Sequence, residues 1–135
     1  MRLLGAAELG VGHKEMLEFL AAMAMTWFFH AVPALIVCAP IWIFGRHRVL
    51  WSRIDYLIIV IPWAIWVLLF IFGPRPGSLS SALVEAVTLG ILTAIAPILR
   101  VSATQVNPSL LRYIGFGVVT LSGIFLWALV PFIGE

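Results

Sequence analysis

Four long apolar stretches, Phe19–Phe44, Ile54–Phe72, Leu79–Leu99 and Leu110–Ile133, occupy most of the chain. A helix that spans a bilayer needs ~20 mostly apolar residues, and these runs far exceed the ~10-residue alternating segments of a membrane β-barrel. The expectation is an all-α integral membrane protein, with four transmembrane helices in an antiparallel bundle joined by short loops. A single transmembrane domain is expected over residues 1–135, with an N-terminal tail over 1–18. Only 10% of the residues are charged, against ~25% in soluble domains, so a water-facing globular surface cannot be assembled. With 63% hydrophobic residues and one cysteine, a disordered chain, a disulfide scaffold and a multi-cysteine metal module are excluded.

The connections constrain how the spans pair. Gly73-Pro-Arg-Pro-Gly77 is too short to travel far, so spans two and three are expected to form a hairpin. Asn107 followed by Pro108 reads as an N-cap and a first helical position, where the missing proline N–H costs nothing. The mixed charges of Met1–Glu18 fit a cleaved signal peptide poorly, so the first apolar run is expected to be a retained helix. Proline recurs at Pro33, Pro40, Pro62 and Pro97, which predicts bends in at least three helices.

Orientation follows from Lys and Arg near the span ends. Arg46, Arg48, Arg53, Arg100 and Arg112 fall on one side and Arg2, Lys14 and Arg75 on the other. This favours both termini outside a bacterial inner (plasma) membrane. Trp42, Trp51, Tyr56 and Tyr113 would lie at the cytoplasmic interface, with Trp127 and Phe132 towards the other. Arg46, Arg48 and Arg53 suit anionic lipids of the inner leaflet.

Polar residues inside the spans are the candidate functional groups. Glu85 lies well within span three with Ser81 and Thr88 at helical spacing, and an acid at such depth needs a proton or a partner. Two roles are open. It can lock helices together, protonated or paired with Arg75, or it can line an ion or proton path with Ser81, Thr88 and His30. Ala82, Ala86, Gly90 and Ala94 form a small-residue stripe that lets helix backbones approach closely. Gly115, Gly117, Ser122 and Gly123 make a weaker version in span four. Whether either stripe meets its own chain or a second copy is open.

His30 is expected to be neutral and hydrogen-bonded near the Phe29 carbonyl that Pro33 leaves without its donor. A bis-histidine haem within one chain fails on count, because His13 and His47 lie at or beyond the membrane edges, and would need a partner chain to bring the second histidine. Asp55, beside Arg53 and Tyr56, is a candidate for an ion pair with Arg100 or Arg112 that would tie the first hairpin to the second. Cys38 reads as a packing residue. Trp63 and Trp66 lie deeper than an aromatic belt and are expected to pack between helices.

No H-E-x-x-H, G-x-S-x-G or P-loop is present in the sequence, and no catalytic residue, metal site or cofactor is expected. In size and helix count the chain resembles the small multidrug resistance transporters, short four-helix dimers with a membrane acid. That resemblance covers architecture only, because their acid lies in the first helix, whereas Glu18 here is at the edge of span one and Glu85 is in span three. The leading expectation is a membrane subunit acting through helix packing, either as a homo-oligomer or as the membrane part of a larger complex. A channel or small transporter with Glu85 on the path is one alternative, and an inner-membrane immunity, sensing or defence protein is another. Lipids and other membrane subunits are the expected partners, and nucleic acid is not.

Overall fold

The computed structural model describes residues 2–73 and 79–129, with side chains for 12–73 and 80–129. Residues 74–78 with Arg75, the side chains of Arg2 and Glu8, and Phe132, Ile133 and Glu135 lie outside the described residues. Six helices follow in chain order: α1 (Arg2–Gly45), α2 (Arg53–Tyr56), α3 (Val60–Phe72), α4 (Leu79–Leu92), α5 (Ile95–Ser102) and α6 (Pro108–Leu129). Among the described residues there is no strand. Four stretches, Gly12–Gly45, Arg53–Phe72, Ser80–Ser102 and Pro108–Leu129, are long and apolar enough to cross a membrane.

The residues read from sequence as a tail continue α1 in unbroken helix. At 1.5 Å per residue the 44 residues of α1 extend about 66 Å, more than twice a ~30 Å hydrocarbon core. Pro33 and Pro40 both lie inside this continuous helix. The interruptions fall elsewhere. Span two is divided at 57–59, just before Pro62, and span three at Thr93–Ala94, just before Pro97. Proline has no N–H for the carbonyl four residues back, here that of Ile58 or Thr93, and the local pattern tightens. Val60 N donates to Leu57 O at 3.0 Å, and Ala96 N to Thr93 O at 3.3 Å. Bends were expected in at least three helices; the helix is interrupted in two spans, and α1 is continuous through its prolines.

At the start of α6, Asn107 caps the helix as its sequence position predicts. Its Oδ1 accepts from Ser109 N at 2.9 Å and its carbonyl from Leu111 N at 3.1 Å.

The core forms where α1, α3, α4 and α6 meet, around Ala34, Trp66, Ala82, Leu89 and Val119. α1 packs chiefly along α4, while α6 packs against α3, α4 and α5. The closeness of α1 and α4 depends on the small-residue stripe. A Cβ at Gly90 would collide with the His30 carbonyl and crowd the Ala34 nitrogen, and Ala82 and Ala86 are fully buried. The stripe is thus used within the chain at Ala82, Ala86 and Gly90, while Ala94 is half-buried at the break between α4 and α5. In α6, Gly115 abuts Ala96 and Gly123 abuts Leu89, whereas Gly117 faces open space. Ser122 hydrogen-bonds its own helix at Val118 O.

Candidate functional site

Polar groups gather in two places. The first is built where the loop after α1 meets the junction of α5 and α6. Ser52 opens α2, and Asp55, three residues on, reaches back to it. Asp55 Oδ2 accepts from Ser52 N at 2.7 Å and from Ser52 Oγ at 3.1 Å. This is the reciprocal end of an S-x-x-D capping pattern, and it fixes the carboxylate. Oδ1 then accepts from Arg100 Nη1 at 2.5 Å and from Arg112 Nε at 2.9 Å. Asp55 therefore pairs with both arginines proposed from sequence, where one was expected.

Further bonds tie the arginines to the first loop. Arg100 Nη2 donates to Leu50 O at 3.3 Å, and its guanidinium lies 5.6 Å from the Trp51 ring centre, a cation–π distance. Arg112 Nη2 donates to Ser52 Oγ at 3.0 Å. The side chains of Asp55 and Arg100 are 5% and 6% exposed, and such burial is tolerated only when each charge is paired and hydrogen-bonded. One carboxylate faces two guanidiniums, so the cluster keeps a positive surplus. Arg46, Arg48 and Arg53 add to it, because Asp55 and Glu85 are the only acids between residues 46 and 112.

The second cluster lies among the helices. Trp66 Nε1 donates to Glu85 Oε2 at 2.8 Å, with both residues buried. His30 Nε2 lies 2.7 Å from Ile59 O, and since a carbonyl only accepts, the ring carries its proton on Nε2. The expected Phe29 carbonyl is not its partner. The break at 57–59 places Ile59 where the imidazole reaches it. Thr93 Oγ1 donates to Gly90 O, which leaves its lone pairs to accept from the Cys38 thiol at 3.6 Å.

The proposed path residues are divided by this arrangement. Glu85 and His30 are 0% exposed. Thr88 instead donates to Val84 O of its own helix at 2.8 Å, and Ser81 is half-buried. The suggested partner Arg75 lies outside the described residues. Four surface recesses are formed by residues within 39–58 and 96–116, and none of these four includes Glu85 or His30. Among the described residues no group of three or more His, Cys, Asp or Glu could hold a metal ion.

Sequence reasoning missed Ser52, Leu50 and Trp51 in the first cluster and the Trp66–Glu85 bond in the second. The S-x-x-D spacing of Ser52 and Asp55 was a legible signal. The depth of Trp66 was a weaker one: a buried indole N–H usually finds an acceptor, yet Nε1 of Trp63, at similar depth, has none among the described residues. No family model, no curated protein and no solved structure matches the chain.

Proposed function

We propose that the chain is a small integral membrane protein whose four helices form an antiparallel bundle and which works by association, as a homo-oligomer or as the membrane part of a larger complex. One observation carries the reading: apolar side chains are exposed on every long helix, while Glu85, His30 and Thr93 are buried and bonded and Thr88 and Ser122 bond to their own backbone. Phe28 is 61% exposed, Phe72 80%, Val84 59% and Phe125 63%, a distribution that suits lipid or a protein partner and not water. The role is one of association, not catalysis, with Glu85 and Trp66 joining helices. Both termini face outward from a bacterial inner membrane, on the balance of five arginines against three basic residues.

Glu85 as helix-joining group is favoured over Glu85 on an ion path by its complete burial and its bond to Trp66. The test is solubilisation in mild detergent with mass measurement, alongside proton and cation flux in reconstituted vesicles. A mass above one chain, or a second membrane subunit held in fixed ratio, with no flux, is expected. A monomer that conducts protons or cations would overturn the reading.

A further inference from the structure

We propose that one anionic phospholipid binds this protein, its phosphate held by Arg48, Arg100 and Arg112 and an acyl chain lying between α1 and α5. The proposal rests on the membrane reading above and adds a defined site to it. A recess of about 350 Å³ is lined by Arg48, Leu50, Arg100, Thr104, Pro108 and Arg112 among others. Three arginines thus line one space. Asp55 answers only part of their charge, since one carboxylate is shared between Arg100, which reaches Oδ1, and Arg112, which reaches Oδ1 and, at 3.5 Å, Oδ2, while Ser52 also donates to Oδ2. Arg48 is exposed and makes no ion pair among the described residues. Guanidiniums with donors to spare match phosphate oxygens in geometry and charge.

A second recess, of about 460 Å³, runs between Pro40, Ile41 and Phe44 of α1 and Ile98, Val101 and Ser102 of α5, and Arg48 lines it as well. An apolar groove on the helices and a cationic recess at the loops therefore share Arg48 as a lining residue. That sequence of surfaces matches one molecule with a hydrocarbon chain and a phosphate. A free anion would leave the groove empty. Leu50 beside the recess is 90% exposed, as an apolar loop residue dipping among lipids would be. A zwitterionic headgroup would bring an ammonium towards the arginines, so a lipid with net negative charge is preferred.

The experiment uses the full chain in detergent micelles with phosphatidylglycerol, phosphatidylcholine or inorganic phosphate, read by native mass spectrometry and by thermal unfolding. One phosphatidylglycerol per chain is expected, bound about tenfold more tightly than phosphatidylcholine. Arg48→Gln should weaken it about tenfold, the loss of one charge-assisted bond. Ser102→Trp, which fills the groove, should weaken it comparably. Neither side chain makes a hydrogen bond among the described residues, so lipid-free unfolding should not change. Thr104→Glu gives an independent variant, placing an acid in the recess, and should also lose the lipid. Undiminished binding in Arg48→Gln and Thr104→Glu would overturn the site. Displacement of the lipid by millimolar inorganic phosphate, with Ser102→Trp without effect, would overturn the lipid in favour of a free anion. Release of the protein from membranes by alkaline carbonate would overturn the membrane reading, and is scored separately from lipid binding.

Discussion

Trp66 gives its indole proton to Glu85 at 2.8 Å, and the two residues stand nine and ten positions on either side of Arg75. An acid and an indole that would each be costly alone among apolar side chains thereby satisfy one another. The bond joins α3 to α4, two helices with few other close contacts, while α1 and α6 supply most of the packing around them.

Glu85→Gln retains an oxygen that accepts from Trp66 and should be tolerated. Glu85→Ala leaves a buried indole N–H unsatisfied and should lose about 1–3 kcal/mol of stability. Adding Trp66→Phe to Glu85→Ala should recover part of that loss, read as a coupling energy from thermal unfolding in detergent. Equal losses for Gln and Ala, with no coupling to Trp66, would show that the bond contributes nothing.

Asp55→Ala removes the only carboxylate bonded to Arg100 and Arg112 among the described residues. With Arg100 only 6% exposed, the expected loss is about 3–5 kcal/mol, as for other broken buried pairs. Replacing Arg100 by Met in the same chain should restore part of it, because the stranded buried charge is then gone. Arg112→Gln alone should be milder than Arg100→Gln, since the Arg112 side chain is 19% exposed. A loss below about 1 kcal/mol for Asp55→Ala, typical of surface pairs, would contradict the buried geometry.

Gly90→Leu should destabilise the single chain without lowering the mass of any assembly it forms. The added side chain meets the His30 carbonyl of the same chain, and overpacking of this kind typically costs about 1–3 kcal/mol. Thermal unfolding together with light scattering separates the two effects. A smaller assembly with unchanged unfolding would place the stripe between copies instead.

Cysteine labelling in intact cells tests the orientation. With Cys38 replaced by Ser, a cysteine at the exposed His47 should react only with membrane-permeant reagents, and one at Arg75 with impermeant reagents too. The opposite pattern would invert the topology and leave the four spans in place.

The four spans, the Asn107 cap at Pro108 and the charge asymmetry of the loops were legible in the sequence, because each depends on local composition and spacing. Apolar length determines which segments are helices compatible with a membrane, and a side chain one residue before a proline caps a helix wherever that helix packs. The small-residue stripe was legible as a packing surface but not in its partner, since a smooth helix face fits any backbone that arrives. The fold assigned it to α1, through Gly90 against the His30 carbonyl. Tertiary structure alone gave Asp55 both Arg100 and Arg112, residues 45 and 57 positions away, and redirected His30 from Phe29 to Ile59. Hydrogen-bond partners across that separation depend on how helices are rotated about their axes. That rotation is decided by the sum of many weak packing contacts, which no local pattern encodes.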